Sequence, residues 1–498
     1  MSGNTSLRIF ADEPKHQISR YLYAHFAEHL GRCIYGGIWV GGESGIEHER
    51  GIRLDTVSAL KNLALPALRW PGGCFADNYH WMDGIGPRHK RPRRHNLWWK
   101  QPETNQFGTD EFMRFCAMVG AEPYLCANVG SGSPEETRAW VEYCNADQPS
   151  TLVQMRKENG HPEPYGVRFW GIGNENWGCG GSMRPEYYAD LFRQHATYVR
   201  SSAGEGAKII ACGSHPGIPE WDTRFLEALE GARHLVDYIA LHIYAVLGQG
   251  VSDVHFTEDD YYTAVVDAVD VMDTHIGRAI GAAQAYSPPG HRIGVVMDEW
   301  GTWFKEATVE SGLLQQNTML DALFTATSFH CFHEHGEHLF MTNMAQTVNV
   351  LQALVLTKGA KLVVTPTYHV WEMLMPHRDG RLVPCRTHDV PPIKSRRGKE
   401  RQALSVSVTT SPDGAGLFAS LVNLDHLDSL TVDMRIDSDK AWRIDRLRRL
   451  ATGDLQSHNT FDAPNTVAPE EVPIEGAGDL RTLTLPPQSI TTIQMTPA

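Results

Sequence analysis

The sequence predicts an α/β fold, a (β/α)8 TIM barrel followed by a C-terminal antiparallel β-sandwich. Three observations carry the prediction. Up to about residue 384, apolar runs of strand length alternate with stretches of helical periodicity. Each of these runs ends in polar residues. Beyond that point helical periodicity gives way to alternating strands divided by turn signals.

Residues 4–10 (NTSLRIF) read as a short strand, and residues 21–26 as the first barrel strand, ending at Glu28. Ala67–Trp70 then leads to Pro71-Gly72-Gly73-Cys74, and residues 123–127 lead to Asn128. Residues 167–172 lead to Asn174-Glu175-Asn176, and Lys208–Cys212 to Ser214 and His215. Residues 236–241 lead to His242 and Tyr244, 293–297 to Asp298-Glu299, and 339–341 to Asn343 and Gln346. Helices fit between them. Ser133-Pro134-Glu135-Glu136 opens one with an N-cap, a first-position proline and early acidic residues. Residues 184–198, 261–280 and 318–332 show helical spacing of apolar positions. After the loop at 377–401, the segments 403–408, 416–424, 429–436 and 480–495 alternate as strands, with Ser411-Pro412-Asp413-Gly414 as a turn.

Composition narrows the function classes. With 42% hydrophobic and 21% charged residues, the chain is an ordinary folded protein. A formal net charge of -14 speaks against nucleic acid and favours a neutral substrate. The start has neither a basic nor an apolar leader region, and no apolar stretch reaches the roughly 18 residues of a membrane span. Nine scattered cysteines without a CxxC pair suggest reduced thiols and a cytoplasmic setting.

A carboxylate at the end of a buried strand loses hydration and is costly to place. This chain has two such positions, Glu175 and Glu299, at the ends of the fourth and seventh barrel strands. A barrel gathers its strand ends on one face, so the two should converge. Paired strand-end carboxylates suit glycoside hydrolysis, in which one protonates the leaving oxygen and the other attacks carbon or activates water. The competing account is one structural ion pair per glutamate.

Two other stretches invite a function. His330, His333, His335 and His338 crowd together, but glutamate stands at 337, where an H-E-x-x-H metal motif needs histidine. We therefore expect a histidine-rich helix end, with no metal. The basic run from Arg88 to His95 is short and belongs to the loop after the second strand.

The segments Glu28 to Gly37, Arg69 to Phe75, Gly173-Asn174-Glu175-Asn176, Asp298-Glu299-Trp300 and Asn343-Met344-Ala345-Gln346 closely resemble the α-L-arabinofuranosidases of glycoside hydrolase family 51. The resemblance spans most of the barrel, in the family's order. It implies a barrel over residues 18–384, with residues 1–17 joining 385–498 in the sandwich. It implies Glu175 as general acid/base and Glu299 as nucleophile of a retaining, exo-acting enzyme on arabinoxylan, arabinan or their oligosaccharides. No cofactor is implied, and a homo-oligomer, a hexamer, is. Glu175 then requires a raised pKa, while Glu299 must stay ionised beside donors, for which Arg69 and Tyr244 are the candidates.

Asn174 is expected to bond a sugar hydroxyl beside the anomeric carbon. Glu28 resembles a ligand to sugar hydroxyls, against a salt bridge to Arg32. Cys74 resembles a residue lining the sugar site, against an ordinary buried thiol. Gln346 resembles a substrate contact, against a helix cap, and a packed core tyrosine competes with the role of Tyr244. Among the loop aromatics, Trp177 and Trp303 are expected to line the pocket. An endo-glucanase or xylosidase on the same barrel, or a non-catalytic carbohydrate-binding protein, remains the alternative.

Overall fold

The structure is a computed structural model that describes residues 5–204, 206–248, 257–395, 397–474 and 482–498. Asn4, Arg396, Leu480 and Arg481, at the ends or within segments read above, lie outside the described residues.

Eight parallel strands close into a barrel in sequence order: Ala24–Phe26, Ala67–Trp70, Glu122–Ala127, Phe169–Ile172, Lys208–Cys212, Tyr238–Leu247, Gly294–Phe304 and Leu339–Ala345. The eighth pairs with the first, Asn343 opposite Ala24. One residue from each strand (Ala24, Ala67, Tyr124, Phe169, Ile210, Ala240, Val296 and Met341) joins a buried cluster that fills the lumen. Small residues on three strands make room for the large ones on the others, as close packing requires.

The sixth and seventh strands run on to Leu247 and Phe304, further than their apolar runs extend. Their register explains how carboxylates are presented. Leu241 pairs with Met297 but His242 with Glu299, so Asp298 is an extra residue, a bulge in the seventh strand. Consecutive strand residues normally face opposite ways; a bulge breaks that alternation. Asp298 and Glu299 thus both reach Arg69, from neighbouring positions.

The capped helix is present as Pro134–Asn145, with the Ser133 hydroxyl accepting from the Glu136 amide. The stretch 261–280 is helical but not uniform: Glu258–Tyr262, a π-helical turn Thr263–Ala268, then Val269–Tyr286. In the basic loop Arg88 and Arg91 pair with Glu111, and Arg94 pairs with Asp83.

Beyond the barrel, one sheet holds Leu404–Thr410, Leu417–Asn423, Ser489–Pro497, Trp442–Leu450 and Glu470–Glu471. The other holds Cys385–His388, the N-terminal Thr5–Phe10, Leu430–Asp437 and Thr482–Leu485. All pairings in these sheets are antiparallel except that of Thr5–Phe10 with Leu430–Asp437, because the N-terminal strand enters from outside the run of hairpins. Helix Met319–Glu334 sits between barrel and sandwich, buried on every side until Glu334. His330 and His333 are therefore inside the helix and the protein interior. His330 shares hydrogens with Ser405 and Ser420, His333 with Ser407 and Tyr23, and His377 with Ser420 and Thr409. Among the described residues no helix is long and apolar enough to cross a membrane.

Candidate active site

Glu299 is buried at the barrel mouth among donors. Arg69 donates to its Oε1 at 2.9 Å and the Tyr244 hydroxyl to its Oε2 at 2.8 Å. His242 Nδ1 lies 3.6 Å from the same Oε2. Burial pushes the Glu299 carboxyl up, but His242, Arg69 and Tyr244 outweigh it, and the net shift is downward. Arg69 is itself fixed, with its Nε 3.1 Å from Asp298 and its Nη2 donating to Asn174 Oδ1 at 2.5 Å. Asp298 also accepts from the Tyr124 hydroxyl at 2.9 Å and from Asn343 Nδ2 at 2.6 Å.

Glu175 approaches from the fourth strand on a different kind of support. The strand stops at Ile172, Gly173 turns with φ +78°, and Glu175 itself is left-handed at φ +44°. A non-glycine residue in that region is strained and is held there by its surroundings. Its Oε1 is 2.9 Å from His242 Nδ1. A carboxylate oxygen of Glu175, one of Glu299 and a ring nitrogen of His242 all lie within 4.8 Å of one another. Burial drives the His242 pKa down, yet the charges of Glu299 and Glu175 raise it on balance.

The remaining predicted residues gather around this pair. Glu28 accepts from Trp99 Nε1 at 2.9 Å, the Phe75 amide at 3.1 Å and Gln346 Nε2 at 2.9 Å. It forms no salt bridge to Arg32, whose guanidinium donates instead to the Thr357 carbonyl. Burial and the nearby Glu299 charge push the Glu28 carboxyl up to about 7, against those three donors. Gln346 thus faces the mouth, tied to Glu28. Asn174 has its oxygen occupied by Arg69 while its buried Nδ2 has no protein partner. Gly72 and Gly73 are required by close approach: a Cβ on the first would lie 2.3 Å from Glu28 Cγ, on the second 2.7 Å from Glu299 Oε1. The Trp303 ring meets the Tyr244 ring edge-on at 5.4 Å. Trp177 donates to the Gly213 carbonyl and packs on His215 at 4.3 Å.

Two family models match the chain, "Alpha-L-arabinofuranosidase 1 domain" over residues 59–262 and "Alpha-L-arabinofuranosidase C-terminal domain" over residues 298–489. An intracellular exo-α-L-arabinofuranosidase of Bacteroides ovatus is 40% identical over 99% of this chain and 96% of its own. The chain belongs to the α-L-arabinofuranosidases of glycoside hydrolase family 51. The family 51 arabinofuranosidase of Xanthomonas axonopodis pv. citri superposes with a TM-score of 0.91 at 38% identity, covering 99% of both chains. The Thermotoga maritima α-L-arabinofuranosidase, solved as an arabinose complex, gives 0.84 at 32% identity, covering 98% of this chain and 99% of that one.

In this arabinofuranosidase-family chain one expectation is overturned. Cys74 and Cys179 form a disulfide, Cα atoms 5.5 Å apart, so the cysteines are not all reduced thiols. Spacing gave no hint of it, because the partners are 105 residues apart and meet only where the loops after the second and fourth strands converge. Their sulfurs lie 3.8 and 3.5 Å from Glu175 Oε2. Sequence reasoning gave no role to Trp99, His242, Asp298 or Asp77. Of these, His242 and Asp298 carried a signal, their places at strand ends.

Proposed function

We propose that this protein is a retaining, exo-acting α-L-arabinofuranosidase that removes terminal α-L-arabinofuranosyl residues from arabinoxylan, arabinan or derived oligosaccharides. The observation that carries this reading is the approach of Glu175 and Glu299, with carboxylate oxygens within 4.8 Å across His242. That spacing suits retention, which needs carboxyl groups about 5–5.5 Å apart, and is too short for the water of an inverting enzyme.

Glu299, kept ionised by Arg69, His242 and Tyr244, is the nucleophile. Its oxygen bonds to the anomeric carbon as the glycosidic C–O bond breaks, and Glu175 gives its proton to the departing oxygen. Glu175, now a carboxylate, takes a proton from water, whose oxygen displaces Glu299 and frees the sugar. The free Nδ2 of Asn174 donates to the hydroxyl beside the anomeric carbon. Glu28 and Gln346 form a buried polar wall suited to the far hydroxyls, and Cys74, Trp177 and Trp303 border the space around the pair. The two carboxylates supply both proton and nucleophile, so the reading calls for no metal or organic cofactor.

The same reading divides the chain into a barrel at 18–384 and a sandwich of 1–17 with 385–498, supported by the pairing of Thr5–Phe10 with Leu430–Asp437. It places the enzyme in the cytoplasm, on the strength of the relative named intracellular. It includes a homo-hexamer, which light scattering on the purified protein tests.

Glu299→Ala should lose about 10^5-fold in kcat on every arabinofuranoside. Glu175→Ala should lose about 10^2- to 10^4-fold in kcat/KM on arabino-oligosaccharides, yet keep cleaving dinitrophenyl arabinofuranoside, whose leaving group needs no proton. Equal losses on the two substrates in Glu175→Ala would overturn the role of Glu175. A panel of aryl glycosides in which a glucoside or xyloside is cleaved best would overturn the substrate.

A further inference from the structure

We propose that Asp77 is a positioning residue for the reaction, whose ionised carboxylate clamps the loop that presents Glu175. The proposal rests on Glu175 being the general acid/base. Asp77 lies in the short turn Ala76–Asn78 after the second barrel strand and is 3% exposed. Its Oδ1 accepts from the amides of Val129 at 2.6 Å and Gly130 at 2.7 Å, just past the end of the third strand. Its Oδ2 accepts from the Asn174 amide at 2.6 Å and from Asn176 Nδ2 at 3.2 Å, on either side of Glu175. One carboxylate thus ties three consecutive strand-end loops together.

The surroundings are shaped to that carboxylate. A Cβ at Gly130 would lie 2.9 Å from Asp77 Cβ, and one at Gly180 only 2.4 Å from Asp77 Oδ2. Both loops close around Asp77 because they carry glycine where they pass it. Burial pushes the carboxyl up to about 7, against the opposing pull of the amides of Asn174, Gly130 and Val129 and of the Arg69 charge. Both oxygens accept two hydrogens each, so a proton on either one displaces a donor. The left-handed backbone of Glu175 has bound neighbours on both sides, and the clamp fixes the direction in which its side chain leaves the loop. A misplacement of about 1 Å in a catalytic group costs about 100-fold in rate.

Asp77→Asn keeps the shape but turns an NH2 towards two donors. Gly130→Ala keeps the carboxylate and pushes on it from behind, which gives a second perturbation if the first variant folds poorly. In both, kcat/KM on an arabino-oligosaccharide should fall about 100-fold, while kcat/KM on dinitrophenyl arabinofuranoside changes less than about threefold. A general loss of folding lowers both substrates alike. If Glu175→Ala shows the substrate split but neither clamp variant does, the clamp is wrong and the role of Glu175 stands. If Glu175→Ala shows no split, that reading of Glu175 fails and takes this proposal with it.

Discussion

The barrel mouth and the seam between barrel and sandwich are equally dry, yet they treat ionisable groups in opposite ways. At the mouth, Arg69 lies within ion-pair distance of Asp298 and Glu299, and Glu299 of His242, and both Glu299 and His242 are shifted towards their charged forms. At the seam, His330, His333 and His377 meet only hydroxyl groups through their ring nitrogens. Their pKa values all fall, His333 to about 3, through burial and through repulsion by neighbouring cationic groups, including Arg401 and His16. Burial alone therefore does not decide protonation; an opposite charge within reach does. The mouth is built to hold charge ready for chemistry, the seam to join two domains with neutral hydrogen bonds.

The largest expected effect on this contrast comes from removing the cation on which the mouth depends. Arg69→Met leaves Asp298 and Glu299 buried with one fewer positive partner and frees the oxygen of Asn174. Breaking a buried ion pair from one side typically costs about 3–5 kcal/mol. We expect stability in urea to fall by that amount. Activity should fall about 10^3-fold, because Glu299 is drawn towards its protonated form. A variant as active as the parent would show that His242 and Tyr244 suffice to keep Glu299 charged.

Acid should distinguish the two regions next. For His333 the folded-state pKa lies below that of the unfolded chain, so the unfolded state binds the proton first as pH falls below about 6.5. Stability is then full above about 6.5 and declines towards pH 3, by about 1.4 kcal/mol per unit for each such histidine. His242 at the mouth has the opposite sign: its contribution is complete below about 6.5 and is lost as pH rises through its raised value. Moderate acid thus weakens the seam while the mouth holds. His333→Gln keeps a donor and an acceptor but cannot titrate. It should remove about 2 kcal/mol of the stability lost between pH 6.5 and 5 in urea unfolding curves. An unchanged pH dependence would assign the acid lability to other buried histidines, such as His25, whose pKa burial lowers to about 3.

How much of this could be read from the sequence follows the same division. The eight strands announced themselves as apolar runs ending in polar residues, and Ala67–Trp70 and Lys208–Cys212 have the bounds their patterns implied. Glu175 and Glu299 could be found because a carboxylate at the end of a buried run is conspicuous. What stayed hidden depends on register and loop contacts. The bulge at Asp298 appears only once the sixth and seventh strands are paired. Asp77 sits in a loop with no periodicity, and its partners come from two other loops. His330 and His333 do belong to the histidine-rich end of helix Met319–Glu334, but their burial stayed hidden because hydroxyl partners are supplied by the sandwich, 75, 90 and 74 residues further on.

The smallest expected effect on turnover comes from opening the Cys74–Cys179 bridge, although its sulfurs lie only 3.8 and 3.5 Å from Glu175 Oε2. The mouth holds its loops redundantly: the bridge links the second and fourth strand ends, and Asp77 links the same two through two hydrogen bonds of its own. Reduction adds two thiols to the seven free cysteines, a change that a thiol titration of the denatured protein reads directly. If Asp77 carries the positioning, kcat/KM on natural substrates should fall no more than about threefold, less than 1 kcal/mol in transition-state energy. Adding reduction to Asp77→Asn should then cost more than the two changes separately, since each tie conceals the loss of the other. A reduced parent enzyme as impaired as Asp77→Asn would make the bridge the principal tie. In the cytoplasmic setting proposed above, where thiols are kept reduced, the enzyme would then be switched down where it is made.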